Sequence, residues 1–209
     1  MNPIIYFVER VTRRVNKLFA PSPVQVEAAF KKSLQLLNQT AMRSRFWICG
    51  GVLLGYARER AIIRGDTDID FHYWVEDEAL LRDVLQELSG QGVEYAGCYI
   101  NNDGQVTQHV LKVLGVKVEF FAAWRNTDCI EWYCYTTRHW NRPVRQFLNR
   151  IPDLQFEPVQ FYGVEVLKPL DHDLYLKVLY GDWRKPMPDY TYYVDSGAIV
   201  SCQPWRNGW

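Results

Sequence analysis

The chain has 209 residues, 48% of them hydrophobic and 23% charged, which is typical of one well-buried globular domain. Lys and Arg together number 24, as do Asp and Glu, so the formal net charge is zero. Proteins that bind many phosphates of a nucleic-acid polymer usually carry an excess of basic residues, so DNA or RNA is not expected as a partner. A small anionic ligand is compatible with this charge balance, because it needs only a few local cations. The five cysteines form no dense framework, which favours a reducing compartment.

Two helices are predicted before the first strand. Residues 4–18 carry apolar side chains at steps of three and four, which predicts an amphipathic helix, and we treat residues 1–20 as a segment of its own. Because basic residues fill its other positions, this helix either packs on the rest of the chain or lies on an anionic membrane surface. A second helix is predicted from about Gln25 to Arg43, with its inward face formed by Val26, Phe30, Leu34, Leu37 and Ala41.

The remainder predicts an α/β (α+β) fold, in which residues 21–209 form a single domain with a mixed sheet flanked by helices. Strands are expected at 46–49, 69–75, 93–100, 106–114, 116–121 and 131–136, and helices at 52–58 and 77–88, the second capped by Asp77. From Arg142 onward we expect a loop-rich part that contains a hairpin around Gly163 and a helix at 172–180. No regular structure is predicted for the tail after Pro186.

A Gly50-Gly51 pair stands between a predicted buried strand and a predicted helix. Glycines at such a junction let backbone N–H groups approach a phosphate at the helix N-terminus. The simpler interpretation is a structural strand-to-helix turn, which is the more common use of glycine there.

Three carboxylates are candidate metal ligands. Asp68 and Asp70 point to the same side of a predicted strand, and neighbouring carboxylates repel each other unless a cation compensates them. Glu119 is a charge within an otherwise apolar strand, which is costly unless it is paired or bound to metal. The simpler interpretations are an acidic turn that faces water and, for Glu119, a salt bridge. Asp66 lies in the preceding loop, and its direction is open.

The order of these features resembles the nucleotidyltransferase (polymerase-beta-like) superfamily and, in detail, its LicD/fukutin family. The run GGVLLGYAR from Gly50, followed by AIIRGDTDIDF from Ala61, is similar to the family's GGxLLGxxR and IPWDxDxDh stretch. Further along, residues 156–166 resemble its hxPhxxhxFxGxxh stretch and residues 168–186 its closing P, YL and YGDWxxP elements. Two positions depart from the pattern: Arg64-Gly65 replaces the usual Pro-Trp, and Glu119 stands where Asp is common.

The resemblance implies an enzyme with a nucleotidyltransferase-type sheet that uses Mg²⁺, or Mn²⁺ in its place. Members transfer a phospho-alcohol (phosphocholine, ribitol phosphate or glycerol phosphate) from a CDP-activated donor to a hydroxyl of a glycan or glycolipid, such as a cell-surface polysaccharide, and release CMP. It implies that Asp68, Asp70 and Glu119 hold the metal and are catalytic. Substrate binding is expected from Gly50, Gly51, Arg58, Asp66, Asp182 and Trp183.

Several simpler alternatives stay open on the sequence alone. Arg58 is equally well a surface residue, and Trp183 equally well part of the core. The chain could instead move a nucleotidyl group from an NTP to a small acceptor, or be a non-catalytic nucleotide-binding module. The expected location is the cytoplasm, with contact to the inner membrane face through residues 4–18.

Overall fold

A computed structural model of the protein describes residues 20–136, 145–187 and 190–206. The predicted helix at 4–18 lies outside these ranges, so its membrane contact stays a prediction. The helices are Pro23–Leu37 (α1), Gly50–Glu59 (α2), Glu78–Leu88 (α3), His172–Tyr180 (α4) and Tyr192–Asp195 (α5). The strands are Phe46–Ile48 (β1), Asp68–Trp74 (β2), Val93–Ile100 (β3), Val106–Val113 (β4), Val116–Arg125 (β5), Cys129–Tyr135 (β6), Arg145–Pro152 (β7), Phe156–Phe161 (β8), Val164–Pro169 (β9) and Ile199–Pro204 (β10).

All these strands belong to one mixed sheet with the order β10-β7-β6-β5-β2-β1-β9-β8. Strand β5 is its branch point, because its first part pairs with β4 and its last part with β6, while β2 runs parallel to it. Strand β3 joins through β4. The predicted mixed sheet flanked by helices is confirmed, and no helix within the described ranges is long and apolar enough to span a membrane.

The sheet separates a packed core from the polar face described below. On the core side, the Phe30 ring of α1 stacks on Phe71 of β2, which in turn stacks on Phe120 of β5. Because side chains alternate along a strand, the neighbours of Phe71 and Phe120 project from the opposite face. Asp70 and Glu119 are among those neighbours, so the same alternation that buries the two rings places both acids on the opposite face of the sheet.

Helix α1 begins and ends at identifiable residues. Ser22 and Gln25 form a capping box at its start, where Pro23 is the first helical residue. The prediction that it continues to Arg43 is wrong, since it ends at Leu37 and Ala41 is exposed. The side chain of Asn38 donates to the Glu165 carbonyl, and the Thr40 hydroxyl donates to the Leu37 carbonyl. The second of these bonds is local and competes with helix continuation, while the first ties the residue after the helix to β9.

The second half of the chain is less loop-rich than predicted, because β7 and β10 are strands where none is predicted, and β8 and β9 form a hairpin that spans Phe156–Pro169. Buried Asn149 interrupts the apolar pattern of β7, which hides the strand in the sequence. Pro158 is tolerated in β8 because this strand forms an edge of the sheet. The hairpin around Gly163 and the helix at 172–180 are confirmed.

A polar network anchors the start of α3. Asp77 precedes the helix but its side chain makes no capping bond; it pairs with Arg45 at 2.7 Å instead. Glu78 accepts hydrogen bonds from the Tyr73 hydroxyl and the buried His109 ring. Burial alone would raise the pKa of Glu78, but the bonds from His109 and Tyr73 outweigh it, so the pKa lies below its usual value.

Candidate active site

The two central parallel strands bring together the three acids singled out in the sequence. In the register of β2 and β5, Asp70 lies opposite Glu119 and Asp68 lies opposite Lys117. Ligand oxygens of Asp68, Asp70 and Glu119 lie within 4.8 Å of one another. Neither strand alone could assemble this group, since it depends on the parallel pairing of segments about fifty residues apart in the chain.

The chemistry of this cluster fits a divalent cation. Oδ1 of Asp70 is buried and has no hydrogen-bond partner among the described residues. Burial, followed by the charges of Asp68 and Glu119, raises the pKa of Asp70 well above its usual value. An unpaired buried carboxylate oxygen beside two further carboxylates is stabilised by a hard cation with oxygen ligands. The three acids are therefore a suitable donor set for Mg²⁺ or Mn²⁺.

Two neighbouring side chains hold Glu119 in place. Gln108 on β4 donates to its Oε1, and Lys117 Nζ lies 2.5 Å from its Oε2. The same Lys117 ammonium lies 2.9 Å from Oδ2 of Asp68. Burial opposes the charged form of Lys117, but the charges of Glu119 and Asp68 outweigh it and raise its pKa. The salt-bridge interpretation of Glu119 thus has a partner in the structure, within the same cluster as the candidate metal ligands.

The N-terminus of α2 points its first turn at these acids. Gly50 has a φ of +50°, and a Cβ there would lie 3.1 Å from Oδ2 of Asp70. A Cβ on Gly51 would lie only 2.4 Å from Oδ2 of Asp66. The two glycines therefore allow the helix to start directly against two carboxylates, where the positive end of the helix dipole faces anionic groups.

Asp66 extends the cluster to a fourth acid. Its Oδ1 accepts a hydrogen bond from the Thr67 backbone at 3.1 Å. Burial, followed by the charge of Asp68, raises its pKa to about 7. The open question of its direction is thereby answered: it faces Gly51 and the other acids.

These groups line one large cavity of about 810 Å³. Its cationic lining side chains are Arg58, Arg64, Lys117 and Lys185, which supply the local positive charge that a small anionic ligand needs in a chain of zero net charge. Another part of the wall is aromatic, with rings drawn from β3, β6, α4 and the tail: Tyr99, Trp132, Tyr135, Tyr180, Tyr192 and Tyr193.

Hydrogen bonds hold two rings of the aromatic wall in place. The Tyr192 hydroxyl donates to Oδ1 of Asn149 at 2.8 Å, and the Tyr193 hydroxyl donates to the Tyr135 carbonyl at 2.5 Å. Ring faces held in this way offer stacking surfaces for a base or a sugar. Local sequence patterns do not predict this wall, because its rings come from separate segments of the chain and the tail that carries Tyr192 and Tyr193 shows no periodicity.

Of the remaining substrate-binding candidates, Arg58 and Trp183 line the cavity and Asp182 does not. Arg58 lines the cavity, and its guanidinium donates to the carbonyls of Trp183 and Lys185, so it also ties the segment after α4 to α2. Trp183 lines the cavity while only 6% exposed, and its indole donates to Asp173. Asp182 is exposed, pairs with Lys185 at 2.7 Å and is not among the lining residues, so the structure does not bring it to the cavity.

Comparisons with known proteins agree with this geometry at the level of the family. The family model described as LicD/FKTN/FKRP, nucleotidyltransferase domain, matches residues 43–170. No curated protein matches the chain in sequence. A solved structure of the antibiotic-resistance factor ANT(2″)-Ia is similar over 50% of this chain and 50% of its own, with 18% identity and a TM-score of 0.37. The chain thus spans half the length of that structure.

Proposed function

The chain belongs to the LicD/FKTN/FKRP family, and on that premise we propose that it transfers a phospho-alcohol from a CDP-activated donor to a hydroxyl of a glycan or glycolipid, with release of CMP. The observation that carries the proposal is the group of Asp68, Asp70 and Glu119, whose oxygens converge within 4.8 Å on the wall of the large cavity. The adjacent N-terminus of α2 supports it, since helix N-termini bind phosphates.

In the proposed reaction the acceptor oxygen attacks the outer phosphorus of the donor, and the bond from that phosphorus to the CMP oxygen breaks. Asp68, Asp70 and Glu119 would hold Mg²⁺ or Mn²⁺. When bound, the cation neutralises the diphosphate and the charge that develops on the departing CMP. Gly50 and Gly51 present backbone N–H groups to the phosphates.

Other residues position the two substrates. Gln108 fixes the orientation of Glu119, which we propose to accept the proton of the acceptor hydroxyl. Arg58 is proposed to contact a phosphate from the cavity wall while it holds the segment at 183–185. The aromatic wall suits a cytosine base or an acceptor sugar, because both present ring faces for stacking.

The proposal is tested by incubating the protein with CDP-choline, CDP-ribitol and CDP-glycerol, in Mg²⁺ and in EDTA, and following CMP by phosphorus NMR. Slow transfer to water allows detection without the acceptor. We expect one donor to yield CMP only in Mg²⁺, and we expect Asp70→Asn to abolish the reaction. Asp83→Asn is the matched control, because Asp83 is exposed on α3. CMP release that persists in EDTA, or in Asp70→Asn, would contradict the proposal.

The alternative reaction, nucleotidyl transfer, is separated by the same assay. If the CDP-alcohols stay intact and an NTP is consumed with release of pyrophosphate, the attacked phosphorus is the inner one, and the proposed donor class is wrong.

A further inference from the structure

Lys117 occupies an unusual position for a lysine, because its ammonium group lies inside the cluster of candidate metal ligands. Its Nζ is 2.9 Å from Asp68 Oδ2 and 2.5 Å from Glu119 Oε2. Strand register produces this arrangement: Lys117 is opposite Asp68 across β2 and β5, and two residues before Glu119 on the same face of β5.

The contacts of Lys117 use the oxygens that a cation would need. Both carboxylate oxygens of Glu119 are engaged, Oε1 by Gln108 and Oε2 by Lys117. Asp68 is engaged through Oδ2, whereas Oδ1 of Asp70 has no partner among the described residues. A metal ion that binds Asp68 through Oδ2 or Glu119 through Oε2 must therefore compete with the Lys117 ammonium for that oxygen.

The side chain of Lys117 is free to leave. It is 46% exposed, and its flexible four-carbon stem can carry the ammonium group into water without disturbing the core. A lysine with a purely structural role in a salt bridge is instead expected to keep its contacts whether or not a metal is present.

We propose that Lys117 is a built-in counter-cation, whose ammonium group occupies the cation position between Asp68 and Glu119 in the metal-free protein and is displaced when a divalent cation binds. Lys117 is then a positioning residue that holds the acids together before the metal arrives and sets the affinity for the metal by competition. This inference rests on the proposed function, since it places the metal at the same three acids.

The proposal predicts effects of opposite sign on stability and on metal affinity. Lys117→Gln leaves the acids without a counter-charge, so the metal-free variant should unfold at a lower temperature than the wild type. The same variant no longer offers a competing cation, so its dissociation constant for Mn²⁺ should fall by about tenfold, the size expected for two partly exposed ion pairs. A purely structural lysine would lower the stability without improving metal binding.

The experiment measures Mn²⁺ binding by electron paramagnetic resonance of the free ion, and thermal unfolding in EDTA, for the wild type and three variants. Lys112→Gln is the matched control: Lys112 lies opposite Lys117 across β4 and β5, is similarly exposed and pairs with Glu94 rather than with a candidate ligand. We expect its Mn²⁺ affinity to stay within about twofold of the wild type. Lys117→Arg should bind Mn²⁺ more weakly, because the several fixed donors of a guanidinium form stronger two-point hydrogen bonds with carboxylates than an ammonium does and are harder to displace.

The outcomes separate this inference from the proposed function. If the wild type binds Mn²⁺ and releases CMP but Lys117→Gln binds Mn²⁺ no more tightly, the displacement idea is overturned and the proposed function stands. If the wild type neither binds Mn²⁺ nor releases CMP, both are overturned. If Lys117→Gln does not fold, Lys117→Arg decides, and Mn²⁺ binding as tight as in the wild type overturns the inference.

Discussion

Replacing Asp70 by Asn should stabilise the metal-free protein while it removes the proposed activity. Oδ1 of Asp70 is buried without a partner among the described residues, and the side chain stands beside two further carboxylates. An asparagine has nearly the same shape, carries no charge and can donate its amide hydrogens to Asp68 or Glu119. The substitution therefore replaces a repulsion by a hydrogen bond.

The size of the effect follows from the geometry of the cluster. Two unit charges 4.8 Å apart repel each other by about 3.5 kcal/mol at an effective dielectric constant of about 20. Lys117 offsets part of this repulsion, and the raised pKa of Asp70 means that a bound proton relieves another part. We expect a net gain of about 2 kcal/mol, which for a chain of this length raises the unfolding temperature by about 4–8 °C.

The assay is thermal unfolding of the wild type, Asp70→Asn and Asp83→Asn, each in EDTA and in excess Mg²⁺. Asp83→Asn should unfold within about 1–2 °C of the wild type in both conditions, because exposed substitutions change stability by less than about 0.5 kcal/mol. Mg²⁺ should stabilise the wild type and leave Asp70→Asn nearly unchanged, so the gap between them narrows. An Asp70→Asn protein that is less stable than the wild type in EDTA would refute the reasoning.

Three further substitutions test the start of α2, the packing of Gly55 and the polar network at the start of α3. Gly51→Ala places a Cβ 2.4 Å from Oδ2 of Asp66, so this carboxylate must move. The rate of CMP release should therefore fall on the order of a hundredfold. The free energy of unfolding in urea should change by less than about 1 kcal/mol, because alanine favours the helix. Gly55→Ala places a Cβ 2.3 Å from the Ala61 carbonyl oxygen, which is a backbone atom and cannot rotate away. The free energy of unfolding in urea should therefore fall by about 1–3 kcal/mol, and an unchanged urea midpoint would contradict this packing. Glu78→Gln should cost about 1–3 kcal/mol at neutral pH. Because the pKa of Glu78 is lowered in the folded protein, its contribution to the free energy of unfolding is complete above about pH 4.3 and is lost as the pH falls through the folded-state pKa. The stabilities of the wild type and the variant should therefore converge only in acid, and a difference that does not change with pH would contradict a lowered pKa.

The acids of the site could be found from the sequence because each obeys a local rule. Asp68 and Asp70 share a face by alternation, and Glu119 stands out as a charge in an apolar strand. The closeness of Glu119 to the other two depends on the parallel pairing of β2 with β5, which no local pattern specifies. The position of Lys117 near the acids could also be predicted, since it precedes Glu119 by two residues and so lies on the same face of the strand. A lysine on a strand is usually solvated, however, so this spacing alone does not indicate a role in the site.

The errors have a common physical cause in long-range contacts. The predicted end of α1 was too late because Asn38 bonds to Glu165, far along the chain. Strand β7 was missed because Asn149 is polar in sequence, and its side chain finds its partners only in the fold: the carbonyls of Trp132 and Phe147 and the hydroxyl of Tyr192. The aromatic wall likewise forms only when β3, β6, α4 and the tail come together in the fold. Local patterns thus predicted the elements that carry the acids, and the pairing of distant strands decided the rest.

The most direct test of the proposed function is the position of the attacked phosphorus atom. The reactive CDP-alcohol is hydrolysed in water enriched in ¹⁸O with Mg²⁺, and the products are followed by phosphorus NMR, in which the heavy isotope shifts the resonance of the phosphorus that bears it. Phospho-alcohol transfer predicts that the label enters the phospho-alcohol and that CMP stays unlabelled. Label in CMP would show attack at the inner phosphorus and would contradict the account.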